Sequence, residues 1–335
     1  MSGTNSETAL RAREMLRTAM GPEIAAALAD PSVIEIMVNP DGRLRLDRLG
    51  GGRCETAARL ESTSVERIIR LVASSVRKEV HMDSPIVSAE LPSRADGESG
   101  ERFEGLLPPV ATAPCFSIRK PASKIHSLGD YVADRILTAA QAETLCQAVR
   151  ERKNILIAGG TSSGKTTLAN ALLAEIARLD ERVILIEDTR ELQCAARDCV
   201  ALRTKPGAVA LSDLVRSTLR LRPDRIIVGE VRGAEALDML KAWNTGHPGG
   251  VATVHANSAE AALYRVEQLV QEAVITVPRR LIADAIDLVV FIEGRGSARR
   301  IQAIRAVGGL AADGQYALSE ACASNIHPLH QRRPS

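Results

Sequence analysis

Residues 154–176 read NILIAGGTSSGKTTLANALLAEI, an aliphatic strand, a glycine-rich loop and a helix. Gly159, Gly164, Lys165 and Thr166 fit the pattern G-x-x-x-x-G-K-[ST]. Glycines in such a loop admit the φ values that turn successive backbone N–H groups toward phosphate oxygens. A helix opening near Lys165 adds the positive end of its dipole. Lys165 then serves the β- and γ-phosphates, and Thr166 offers a hydroxyl to Mg2+. The cradle comprises Gly159, Gly160, Thr161, Ser162, Ser163, Gly164, Lys165, Thr166 and Thr167. With the strand before it and the helix after it, the loop predicts binding of a nucleoside triphosphate such as ATP, with Mg2+.

Two aliphatic runs end in carboxylates. RVILIEDTREL reaches Glu187 and Asp188, and DRIIVGEVRG reaches Glu230 after Gly229, where many phosphate-loop enzymes carry an Asp. Carboxylates at strand ends beside a phosphate loop have two tasks: one holds Mg2+ through water, and the other orients or deprotonates the attacking water. Either Glu187 or Glu230 can take either task. Two such ends in one domain predict hydrolysis; for a single strand-end Glu, a solvated helix cap is an equally good reading.

Histidines are few, six in the chain, yet His247 and His255 share TGHPGGVATVHANS. No cysteine or carboxylate cluster beside them completes a metal site. His247 precedes Pro248-Gly249-Gly250 and reads as a turn residue. His255 ends a β-branched run, where an imidazole can hydrogen-bond a γ-phosphate. In LSDLVRSTLRLRPDR, Ser212 or Asp213 caps a helix that Pro223 ends. Arg216 is expected on a solvated face. Arg220 or Arg222 either shares that basic face or reaches phosphate charge, in its own or a neighbouring subunit. Arg232 is expected to pair with Glu235.

These residues need a scaffold, and 335 residues suit two domains. A net charge of +2 and seven aromatic residues argue against general nucleic-acid attraction and a base-stacking platform. The six cysteines form no C-x-x-C pair, which disfavours a thiolate zinc site and suits reduced thiols. No signal-peptide core and no run of membrane-spanning length is present, so a soluble, cytoplasmic chain is expected.

The first 120 residues predict a small α+β domain. It has a helix over 6–29 broken at Gly21-Pro22, a hairpin around Asn39-Pro40-Asp41-Gly42, a helix over 64–80, and strands in ELPSR, RFEGLLPPV and CFSIRK. A polar turn, RADGESGE, separates the first two of these strands. Residues 121–129 read as a linker. Over 130–324, NILIAG, RVILIED, DRIIVGE, GVATVH, DLVVFI and RIQAIRA alternate with helices, as in a buried parallel sheet. Residues 325–335 are expected to be disordered.

GGTSSGKTT, ILIEDTREL, LRLRPDRIIVGEVRGAEA and TGHPGGVATVHANS, in this order and spacing, resemble the secretion-ATPase superfamily of type II and type IV secretion and of pilus extension and retraction. DPSVIEIMVNPDGRLRLDRL, ERFEGLLPPV and APCFSIRKP resemble its conjugal-transfer (Trb-type) branch. The resemblance covers roughly residues 10–305. It implies an N-terminal domain and a RecA-like phosphate-loop ATPase domain that sandwich ATP, in a homohexameric ring held to the inner membrane through type IV secretion components. By the same resemblance, Glu187 matches the catalytic Glu, Glu230 the Walker-B Glu on the Mg2+ side and His255 the residue near the γ-phosphate. Arg119 matches an N-terminal-domain arginine that approaches the nucleotide, though a plain surface arginine fits the residue as well. The four-cysteine zinc motif of the pilus-extension and type II branches is absent from the sequence, as are their long extra N-terminal domains. The expected function is an ATP-hydrolysing motor of conjugative secretion. Its rivals are a pilus-retraction ATPase, a nucleic-acid-stimulated RecA-type motor and a slowly turning scaffold.

Overall fold

A computed structural model describes residues 3–92, 100–121, 125–205 and 207–325, with side chains from residue 14 to residue 324. The chain divides into two compact units, Met1–Ser123 and Lys124–Ser335.

In the first unit, α1 (Gly3–Ala29) is kinked at Gly21, whose φ is 76°, ahead of Pro22. Strands β1 (Val33–Val38), β2 (Arg43–Arg48) and β3 (Gly52–Arg59) precede α2 (Ser62–Ser75). Strands β4 (Ile86–Glu90), β5 (Arg102–Leu106) and β6 (Cys115–Arg119) complete an antiparallel sheet ordered β3-β2-β1-β6-β5-β4. Alternation decides which sheet face is inner: Ile36 and Val38, Leu44 and Leu46, and Phe116 and Ile118 are buried, in one cluster with Val65, Ile68, Ile69 and Val72 of α2. Gly105 lets α2 approach, because a Cβ there would lie 3.0 Å from Ile69 Cγ1.

Three expectations shift. Helix α2 stops at Ser75, and Arg77 soon after takes a left-handed φ of 56°. The strand placed at ELPSR is Ile86–Glu90, since Pro92 has no N–H for a ladder. The predicted turn RADGESGE falls largely on residues 93–99, outside the described residues.

The second unit begins with α3 (Leu128–Ala133) and α4 (Ala139–Arg150). It continues through β7 (Ile155–Gly159), α5 (Lys165–Ile176), β8 (Arg182–Glu187), β9 (Asp198–Arg203), α6 (Leu211–Thr218), β10 (Arg225–Val228) and α7 (Glu235–Asn244). It ends with β11 (Val251–His255), α8 (Ala259–Gln271), α9 (Arg279–Ala285), β12 (Leu288–Glu293), β13 (Arg300–Leu310) and β14 (Tyr316–Glu320). The sheet order is β14-β13-β12-β7-β11-β10-β8-β9.

Six strands run parallel, but β13 and β14 are antiparallel, so the sheet is mixed rather than parallel throughout. Helices cover both faces. In β7, Leu156 and Ala158 join the cluster of α7, α8 and α9, while Ile155 and Ile157 join that of α4 and α5. Burial on both sides makes the strand a continuous aliphatic run.

The linker reading over 121–129 is corrected at its end. Helix α3 starts at Leu128, with Ser127 accepting from the Asp130 N–H and Asp130 accepting from the Ser127 N–H. Residues 122–124 lie outside the described residues, as do 326–335 of the expected disordered tail. Among the described residues, no helix is long and apolar enough to cross a membrane.

Candidate nucleotide site

Parallel register brings the site together. The last residue of β7, Gly159, pairs with His255 at the end of β11, and Gly229, just past β10, donates its N–H to Ile186 beside Glu187. The sequence-predicted Lys165, Glu187, Glu230 and His255 therefore collect at the carboxyl edge of one sheet, where open α/β folds place ligands.

The loop from β7 to α5 takes two left-handed residues, Ser162 (φ 62°) and Gly164 (φ 97°). Close packing also explains the glycines. A Cβ on Gly159 would lie 2.4 Å from the Ile292 carbonyl oxygen and 2.6 Å from Ser163 Oγ. Lys165 opens α5 and is 7% exposed. Its ammonium donates to the carbonyls of Gly159 (3.1 Å) and Gly160 (3.0 Å) and lies 3.4 Å from His255 Nδ1. Ser163 Oγ is buried with no hydrogen-bond partner. A helix N-terminus, a lysine curled over its own loop and an unpartnered hydroxyl fit a triphosphate that draws the lysine outward. Thr166 follows Lys165, partly buried in the first turn, where its hydroxyl fits the Mg2+ role.

Glu187 is 4% exposed, and its Oε1 accepts from the N–H groups of Glu191 (2.9 Å) and Leu192 (2.7 Å). Burial pushes its carboxyl up to about 7, against those two hydrogen bonds, which favour the charge. A carboxyl near neutrality is matched to taking a proton from water. Gly229, which stands where many phosphate-loop enzymes carry an Asp, is close to Glu187: a Cβ there would lie 3.1 Å from Glu187 Cγ.

Glu230 is differently placed. Its Oε1 lies 2.6 Å from His255 Nε2, and its Oε2 accepts from Arg232 Nε at 2.7 Å. Burial, then the charge of Lys165, lowers the His255 pKa and favours the neutral imidazole. With Nδ1 toward the Lys165 ammonium and Nε2 toward Glu230 Oε1, the His255 ring stands between Lys165 and Glu230, although Glu230 Oε1 accepts no hydrogen bond. Arg232 corrects its expectation. Its side chain turns to Glu230 and lies 3.8 Å from Asp188, while only its backbone N–H reaches Glu235.

Other predicted residues lie elsewhere. Helix α6 ends at Thr218, so Arg220 and Arg222 are off the helix, and Arg222 takes a left-handed φ of 58°. Neither proposed side chain caps that helix directly: Ala210 is the N-cap, and Asp213 accepts from its N–H. Arg220 and Arg222 are exposed at the starting end of β10, opposite Gly229, and within their own chain do not join the loop residues. Arg216 pairs with Asp238 at 3.0 Å rather than standing alone in solvent. His247 is likewise at the far end, with Nδ1 3.0 Å from the Pro223 carbonyl. Arg119 belongs to the first unit, exposed at the end of β6.

One site residue escaped the sequence reading. Asn170, 2% exposed within α5, donates to the Glu191 carbonyl (3.1 Å) and accepts from the Gln193 N–H (2.9 Å). It ties the helix of the phosphate loop to the segment that hydrogen-bonds Glu187. A lone amide in the apolar run TTLANALLAEI was its signal. Among the described residues, no group of three or more His, Cys, Asp or Glu side chains is placed to hold a metal ion by itself.

Residues 102–294 match the family described as "Type II/IV secretion system protein", and the chain belongs to that family. Its relatives narrow the class to type IV secretion ATPases. It is 48% identical to the conjugal transfer protein TrbB of Rhizobium radiobacter, over 88% of this chain and 90% of that one. It is 35% identical to the type IV secretion system protein PtlH of Bordetella pertussis, over 82% of this chain and 90% of that one. In fold it is similar to the Legionella pneumophila ATPase DotB, with a TM-score of 0.57 and 19% identity over 87% of this chain and 76% of that one. The N-terminal domain followed by a RecA-like ATPase domain expected from the sequence is the fold of this family.

Proposed function

We propose that the chain is the ATP-hydrolysing motor subunit of a conjugative type IV secretion system, powering substrate transfer or pilus biogenesis. It works as a homohexameric ring in the cytoplasm, held at the inner membrane by other secretion components, with no stable nucleic-acid binding. The observation that carries this reading is the grouping of Lys165, His255 and Glu230 with buried Glu187 at one sheet edge. The identity to TrbB over most of both chains supports the conjugative assignment.

In this reading the loop amides and Lys165 hold the β- and γ-phosphates, and Lys165 exchanges two loop carbonyls for phosphate oxygens. Glu187 takes a proton from water as that water attacks the γ-phosphorus and the bond to the ADP oxygen breaks. Thr166 and Glu230 are the residues that would hold Mg2+, Glu230 through water, and the ion would supply charge to neutralise the developing phosphate charge. His255, sharing Lys165 and Glu230, senses whether the γ-phosphate is present. Arg119 supplies charge from the N-terminal domain, and Arg220 or Arg222 from a neighbouring subunit. Purified Lys165→Ala is expected to lose ATP hydrolysis by at least about a hundredfold, and its gene to fail in a mating assay. Hydrolysis at the wild-type rate overturns the reading.

A further inference from the structure

The chemistry above occupies one side of the phosphate loop. Strand β11, with His255, flanks β7 on that side, and β12 flanks it on the other. Between the end of β12 at Glu293 and the start of β13 at Arg300 stands Arg299. Its guanidinium is pressed onto the loop: a Cβ on Gly164 would lie 2.8 Å from Arg299 Cζ and Nε and 3.1 Å from Nη1. Gly164 itself is held to glycine by its φ of 97°.

Arg299 Nε is buried and has no hydrogen-bond partner. A guanidinium N–H in that state is costly, because folding strips its water and returns nothing. Tyr131 of α3 is alike: the residue is 1% exposed and its hydroxyl has no partner. It is close enough for the charge of Arg299 to act on its phenol, and the ring of His126 stands edge-on to it at 6.3 Å. The Arg299 guanidinium thus stands against the loop with an unsatisfied N–H, a donor that a bound ligand would complete.

We propose that Arg299 binds the nucleoside end of the nucleotide. The inference rests on the nucleotide reading of the loop and adds the direction in which the nucleotide lies. With the γ-phosphate toward Lys165, His255 and Glu187, the ribose and base leave the loop on the β12 side, where Arg299 stands. A planar guanidinium offers a face that stacks on a base and an edge that donates to a ribose oxygen or ring nitrogen. Arg299 is a binding residue, remote from the reacting phosphorus.

The test compares ADP with pyrophosphate, which shares the phosphates but has no nucleoside, by titration calorimetry on the full chain with Mg2+. Arg299→Ala is expected to weaken ADP roughly tenfold, a typical loss for a hydrogen bond involving a charged group, and to leave pyrophosphate within about twofold. Arg299→Gln, which keeps most of the packing, should give the same pattern with an unchanged melting temperature in the absence of ligand. Equal weakening of both ligands would make Arg299 a phosphate ligand and overturn the proposal, and so would unchanged ADP affinity. Wild-type protein that binds neither ligand would instead sink the nucleotide reading itself.

Discussion

The two edges of the eight-stranded sheet carry similar residue types in opposite states. At the carboxyl edge, Lys165, Glu230 and His255 are held by few contacts, some of them to backbone carbonyls that a ligand can replace. At the amino edge the polar groups are enclosed and matched. Arg225 is 1% exposed; its side chain pairs with Glu181 and donates to the carbonyls of Val149 (2.8 Å) and Gly249 (3.2 Å). Asn154 accepts from the N–H groups of Gly249 (2.8 Å) and Gly250 (3.0 Å), and it donates to the Ala285 carbonyl (2.7 Å). Each glycine is required there, since a Cβ on Gly249 would lie 2.7 Å from Arg225 Nη1 and one on Gly250 2.0 Å from Trp243 Nε1. The histidines of TGHPGGVATVH divide the same way: His247 is tied to a carbonyl at the closed edge, and His255 bridges two charges at the open one. Polar residues stabilise where their partners are permanent, and do chemistry where partners can be exchanged.

That contrast breaks if substitutions at the closed edge act on turnover first, or those at the open edge on stability first. The largest stability effect is expected for Arg225→Met, which strands part of Glu181 and two carbonyls and should cost about 3–5 kcal/mol in chemical denaturation. Asn154→Ala leaves two N–H groups and one carbonyl without partners. It should cost about 2–4 kcal/mol, with turnover per folded molecule near wild type. His255→Ala should cut turnover roughly tenfold while shifting the melting temperature little, because the residue is half exposed. A further effect is a pH dependence. Burial holds Glu187 at about 7 against an ordinary 4.5, so the folded chain binds that proton more tightly than the unfolded one. Its contribution to stability is full below about pH 4.5 and is lost as pH rises through about 7. Melting temperatures of Glu187→Gln measured across that window should fall less steeply with pH than those of wild type.

Much of the open edge was legible because its signals are local. The phosphate loop is one contiguous string, and Glu187, Glu230 and His255 each end an aliphatic run that parallel pairing aligns. The closed edge was not, because burial of Arg225 depends on Glu181, Val149 and Gly249, which are 24 to 76 residues away in sequence. Arg299 was missed for the same reason: nothing near it in the chain announces Gly164. Strands β3 and β9 were overlooked because β3 is largely exposed and β9 is an edge strand, so neither shows an aliphatic run. The helix start at Leu128 was readable from Ser127 and Asp130, an S-x-x-D capping pair within a stretch taken for linker. Pro223 predicts a helix that runs through Arg220, but the helix ends earlier, at Thr218.

The central claim is that buried Glu187 performs the proton transfer at the open edge. Glu187→Gln keeps the shape and removes the base, so ATP turnover and ADP affinity measured on the same preparation test it directly. Turnover should fall at least about a hundredfold, the usual worth of a positioned base, with ADP binding unchanged. Turnover at the wild-type rate with binding intact would contradict the claim and pass the role to Glu230.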